Sequence, residues 1–199
     1  MKRRRILPLL LAGSLLACDQ PPTRELGAAE AAIGAARSDG ADVYAAERFK
    51  EAEAALQAAR EKVERKDYRG ALSSALDAAE RARTASAAVP SAKVLIKSAA
   101  ETTQAEAQAA LDEIEAVREE ARKARVPEAA FEAVAPRVME AQATLQALTD
   151  RLAEGDLIGA RQAAADLKAR TSGLGADYRA AFEKWREEHP RGRRAPRPR

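Results

Sequence analysis

Between residues 24 and 187 the apolar positions recur every three or four residues, and nowhere do they alternate with a period of two. That spacing predicts helices throughout and no strand. Helix breakers divide the stretch into about six. The first spans 24–37 and closes at Ser38-Asp39-Gly40; the second spans 43–66. A third runs from Asp67 to about 87 and is expected to stop at Val89-Pro90-Ser91, because proline has no N–H to give a helix interior. The fourth covers 92–125 and the fifth 128–154. Gly155 then suits the position just past a helix end and Asp156 the cap of a sixth, running to about 187 with Gly173-Leu174-Gly175 as its candidate break. The expected fold is all-α: an antiparallel helical bundle of coiled-coil hairpins.

Two of these helices carry a narrow seam. Phe49, Ala52, Leu56, Ala59 and Val63 follow heptad spacing in the second, and Val138, Ala141, Leu145, Leu148 and Leu152 follow it in the fifth. Alanine on such a seam lets helix axes approach closely. The two stretches are also copies. A shift of 89 residues aligns 46–81 with 135–170 without gaps, and 14 of those 36 positions are identical. The matches include Leu56/Leu145, Gln57/Gln146, Asp67/Asp156, Gly70/Gly159 and Asp77/Asp166, which alanine richness does not explain. The repeat implies two related three-helix units, at 24–88 and 89–187.

Composition agrees with long, thin-cored helices. Alanine supplies 51 of 199 residues, while Leu, Ile, Val and Phe together supply only 34. One cysteine and one histidine exclude an intrachain disulfide and argue against a zinc site. The net charge of +3 is carried by the ends. Residues 1–17 hold four bases and no acid, and residues 190–199 hold Arg191, Arg193, Arg194, Arg197 and Arg199 with no acid. Residues 18–189 are left with 25 bases against 31 acids. No folded face presents a basic stripe interleaved with aromatics, so nucleic acid is not an expected partner.

The first residues point to export. Lys2 to Arg5 is a cationic start, and Ile6 to Ala17 an apolar run too short to span a bilayer. Leu15-Leu16-Ala17-Cys18 resembles the lipobox of bacterial lipoproteins, and the only cysteine falls at the position that motif demands. The resemblance implies removal of a signal peptide at 1–17 and a diacylglyceryl group on the Cys18 thiol. The protein would then be lipid-anchored in the bacterial cell envelope, facing the periplasm or the exterior. Asp19 resembles the inner-membrane retention signal of enteric lipoproteins, and inner versus outer membrane stays open. The linker, 18–23, is short enough to hold the folded part close to the lipid.

Tyr44-Ala45-Ala46-Glu47, the seam 49–63 and Asp67-Tyr68-Arg69-Gly70-Ala71 together resemble the alanine-rich helical domains of unknown function found in bacterial envelope lipoproteins. The resemblance covers about residues 28–88. Ala46 stands where such domains often have proline, and the second unit has Leu157 in place of the tyrosine. The family brings no active site to carry over. Lys66 to Leu72 is also similar to the start of a tetratricopeptide helix, although the period of 89 is not that of a tetratricopeptide array.

No catalytic residue is expected. His189 sits beside Pro190 near the basic tail, without a partner to orient it, and the pairs Glu113/Glu115 and Glu119/Glu120 read as solvated helix carboxylates. Two features carry candidate binding chemistry. Tyr178, Phe182 and Trp185 share one helical face, which is either a core plug for the last helix or a stripe for a partner. The five tail arginines form an extended, disordered arm at 188–199 suited to lipid or lipopolysaccharide phosphates. The functional expectation is a lipid-anchored scaffold or adaptor with a membrane contact through Cys18 and an envelope protein partner. It needs no cofactor, metal or small-molecule substrate. The alternatives are an anionic-surface binder acting through the tail and a tetratricopeptide-like interaction module.

Overall fold

The computed structural model describes residues 20–190; the expected signal peptide, Cys18, Asp19 and the arginines from 191 to 199 lie outside the described residues. The described residues are all-α, with no strand among them. In chain order the helices are α1 (Thr23–Ser38), α2 (Ala41–Tyr44), α3 (Ala46–Glu64), α4 (Tyr68–Lys123), α5 (Ala135–Glu154), α6 (Leu157–Thr171) and α7 (Leu174–Glu188). They divide into two compact units with the boundary between Val89 and Pro90.

In the first unit α1, α3 and the first part of α4 surround one core. Ion pairs fix the directions. Arg60 meets Glu30 at 2.8 Å and Arg37 meets Glu53 at 2.5 Å, so α1 and α3 are antiparallel. Arg81 reaches Glu51 at 3.0 Å and Lys62 reaches Ser74 at 2.7 Å, so α3 and α4 are antiparallel too. Between them Ile33, Phe49, Leu56 and Val89 interleave with Ala29, Ala36, Ala52, Ala78, Ala82 and Ala85, all buried. Three or four large side chains spaced by alanines let the backbones close on one another without leaving voids. Four of the five seam residues of α3 are buried; Val63, next to the turn, is half-buried.

The second unit holds the remainder of α4, a 3-10 turn at Glu128–Phe131, and α5 to α7. Arg170 of α6 pairs with Glu140 of α5, and Arg137 of α5 meets Asp177 of α7 at 2.6 Å. The arm formed by α6 and α7 is therefore antiparallel to α5. Its α7 end lies along α4, where Arg179 meets Glu113 at 3.7 Å. Two clusters fill this unit. Ile114, Val117, Phe131, Val138, Leu174, Tyr178 and Phe182 are packed in one, and Ala100, Leu148, Ala160 and Leu167 in the other. Of the α5 seam, Val138, Ala141 and Leu148 are buried and Leu145 and Leu152 half-buried.

Three boundaries differ from the sequence expectation. Pro90 does not stop a helix: the expected third and fourth helices are one, α4. A proline in a helix interior removes one backbone hydrogen bond and crowds the carbonyl four residues back, about 3 kcal/mol. Here Pro90 itself is exposed, while Val89 beside it is held in the core and alanines of high helix propensity flank both. The expected fifth helix begins at Ala135, not 128, with Pro136 in its first turn, where the missing N–H costs no intrahelical hydrogen bond. The sixth helix does break at its candidate position, between α6 and α7, where Gly173 takes φ 72°, a left-handed conformation that glycine adopts without a steric penalty. The stretch 41–44 forms a separate turn of helix, and the second long helix starts at Ala46.

The two inter-helix turns are built alike. After α3, the Asp67 amide donates to the Lys62 carbonyl and the Lys66 amide to the Val63 carbonyl, both at 2.9 Å. After α5, the Asp156 amide donates to Arg151 at 2.9 Å and the Gly155 amide to Leu152 at 3.3 Å. This is the Schellman closure, which needs a left-handed residue at its corner. Gly155 supplies it at φ 76°; in the first unit Lys66 does so at φ 61°.

Candidate functional surfaces

Each turn ends in an aspartate that starts the next helix. Asp156 Oδ1 accepts from the Gly159 amide at 2.9 Å, and Asp67 Oδ1 accepts from the Gly70 amide at 2.9 Å. The Gly159 amide, above all, holds the Asp156 carboxyl below the usual carboxylate range; the loss of some hydration opposes this, and Arg151 Nη1, 2.8 Å away, adds to the lowering. These aspartates are committed to caps rather than to a ligand.

Of the acids singled out in the sequence, Glu115 and Glu119 are spent on their own helix face and Glu113 on α7. Arg118 donates to Glu115 at 2.8 Å, Arg122 pairs with Glu119, and Arg179 lies 3.7 Å from Glu113. All are exposed on at least one side, and exposed pairs of this type contribute about 0–1 kcal/mol each. No cluster of histidine, cysteine and carboxylate side chains among the described residues has the geometry of a metal site.

The aromatic stripe divides. Tyr178 and Phe182 are buried in the core of the second unit, where the Tyr178 ring stacks on Phe131 with centroids 4.5 Å apart. Arg118 lies 6.0 Å from the Tyr178 ring centre, and its guanidinium is held further into the charged form, first by a hydrogen bond to Tyr178. Trp185 is half-buried and stacks on the His189 ring at 4.6 Å. The stripe thus docks α7 onto α4, and only its Trp185 end reaches solvent. There an open groove of about 590 Å³ is lined by Glu120, Lys123, Ala124, Phe182, Trp185, Arg186, His189 and Pro190. Sequence reasoning did not find Phe131 as the partner of Tyr178, since 47 residues and two turns separate them.

A second feature missed in the sequence lies on α4. Leu72 and Leu76 are 37% and 56% exposed, outside the buried row Ala71, Ala75, Ala78 and Ala82. The available signal was their position: leucines where the helical period assigns solvent. No helix among the described residues is long and apolar enough to cross a membrane.

These surfaces belong to an all-α protein of paired helical hairpins with a polar exterior. Residues 24–94 match the family described as domain of unknown function DUF4398, a stretch that takes in α1 to α3 and the first part of α4. No curated protein and no solved structure matches the chain.

Proposed function

We propose that the protein is a lipid-anchored helical scaffold or adaptor of the bacterial cell envelope, without catalytic activity. The observation that carries this is the placement of the single cysteine: Cys18 follows Leu15-Leu16-Ala17, and the folded part begins almost at once, with Pro22 already buried and α1 starting at Thr23. Acyl chains on Cys18 would tie the first unit to the lipid surface, and more than one chain makes the attachment stable. The helical hairpins then offer long, charged faces to an envelope protein. Many polar side chains on those faces pair with one another, as Arg81 does with Asp77 and Glu51.

Intact mass of the protein extracted from membranes tests the reading. The expected result is a chain beginning at Cys18 and carrying acyl groups on it. A free thiol at Cys18 in a protein found wholly in the soluble fraction overturns it.

The arginines at 191, 193, 194, 197 and 199 favour a second role at the same surface, binding of anionic headgroups by the tail. Deleting 190–199 would abolish salt-sensitive binding to anionic vesicles if the tail is the binder, and would leave partner capture intact if the scaffold reading is correct.

A further inference from the structure

The exposed leucines of α4 and the entry point of the chain lie at the same end of the first unit. The pairs Glu30–Arg60 and Arg37–Glu53 set α1 antiparallel to α3 in a register that brings the start of α1 level with the turn between α3 and α4. Leu72 and Leu76 stand one and two helical turns beyond that turn. Around the helix they lie just outside buried Ala79, on the side away from Ser74 and Arg81, which face α3; the edge of the helix next to them carries Ser86, bonded to Asp39 at the end of α1. The neighbouring outer face of α1 presents small side chains between Arg24 and Asp39, with Ala28, Ala31 and Ala35 exposed. Arg24 on α1 and Arg69 on α4 stand at the margin of this apolar strip, and further along α4 Arg83 pairs with Glu80 at 3.4 Å.

We infer that this α1–α4 face of the first unit lies against the lipid bilayer, with Leu72 and Leu76 at the level of the headgroups and acyl boundary. The inference rests on the anchored reading of Cys18. Only Asp19, Gln20 and Pro21 separate that residue from buried Pro22, a reach of at most about 14 Å, so an anchored chain keeps this end of the unit at the membrane. The chemistry of the face suits that occupant: apolar side chains at the centre, arginines at the rim where phosphates lie. A helix whose apolar residues are already tethered to a bilayer meets lipid at high effective concentration, so even two leucines suffice to bias its orientation.

The absence of any cysteine other than Cys18 makes the test direct. The membrane-extracted, processed protein is prepared with Leu72→Cys, Leu76→Cys or, on the far side of α3, Ala54→Cys. Each thiol is labelled with a polarity-sensitive fluorophore, and the protein is reconstituted into vesicles of phosphatidylethanolamine and phosphatidylglycerol, with and without brominated lipid. Blue-shifted, bromine-quenched emission is expected at positions 72 and 76 and aqueous emission at 54. Circular dichroism checks that each variant is folded; all three positions are exposed, so helicity should match the parent. Aqueous emission at 72 and 76 from a protein whose Cys18 is acylated overturns the orientation and leaves the anchor standing. Labelling of Cys18 itself in the parent overturns the anchor, and the orientation with it.

Discussion

The carboxylate of Asp156 occupies the space that a side chain on Gly159 would need: it accepts the Gly159 amide at 2.9 Å, and a β-carbon built there would stand 2.0 Å from Asp156 Oδ2. The pair Asp67 and Gly70 repeats the arrangement, with a 2.9 Å bond and a 2.1 Å approach. Each helix after a turn therefore starts on an aspartate and a glycine that fit only each other.

Such a fit reverses the usual effect of a helical glycine. Glycine to alanine in a helix interior normally stabilises by about 0.5–1 kcal/mol. Gly159→Ala is expected to destabilise the protein instead, because the new methyl group displaces the capping carboxylate. Asp156→Ala alone should also destabilise. In the double variant the carboxylate is gone, and the Arg151 guanidinium, whose Nη1 lies 2.0 Å from the same point, loses the Asp156 partner that holds it there and can swing aside, so the alanine should recover its ordinary benefit. Chemical denaturation of the four proteins gives the coupling directly; additive effects of the two substitutions would show that the contact carries nothing.

The first turn holds its left-handed corner with a lysine. A residue other than glycine in that conformation costs about 1–2 kcal/mol, and Lys66 sits at φ 61° where its counterpart Gly155 has φ 76°. Lys66→Gly should therefore raise stability by about 0.5–1 kcal/mol, while Gly155→Lys should lower it by a similar amount. Thermal unfolding of the two exchanges, read side by side, checks both signs.

Acid should release the second turn. The folded-state pKa of Asp156 is depressed, first by the Gly159 amide and then by Arg151. A depressed carboxylate contributes its stability above its unfolded value, about 3.9, and loses it as pH falls through the folded value. Asp156→Asn keeps a capping oxygen but cannot titrate. The difference in urea midpoint between parent and variant should be constant above about pH 5 and shrink below pH 4. A difference that grows on acidification would contradict the sign.

The α5 seam should be graded by burial. Leu148 is fully buried and Leu145 half-buried. Leu148→Ala is expected to cost about 3 kcal/mol, and Leu145→Ala roughly half of that. Equal losses would mean that Leu145 is packed as deeply as Leu148.

Much of this fold was legible because its signals are local. The seam 49–63, the caps at Asp67 and Asp156 and the corner at Gly155 each depend on residues within one or two turns of one another. The two prolines show where locality ends. Pro136 starts α5, as proline in a first turn should, and reading it so would have moved that boundary from 128 to 135. Pro90 has the same chemistry and sits inside α4, because Val89 is buried in a core assembled from residues as distant as Ile33 and Phe49. The stacking of Tyr178 on Phe131 and the exposure of Leu72 and Leu76 likewise follow from which helices meet, which no single stretch of sequence encodes.

The alanine core of the first unit has an evolutionary side. Ala29, Ala36, Ala52, Ala78, Ala82 and Ala85 leave almost no residue smaller than themselves to change into, and every larger one must push two backbones apart. Sequence drift at these positions is one-sided, whereas the charged outer faces are free to wander. Lineages descended from this fold should thus keep an invariant pattern of smallness inside while their exteriors lose all likeness, each free to fit a different neighbour.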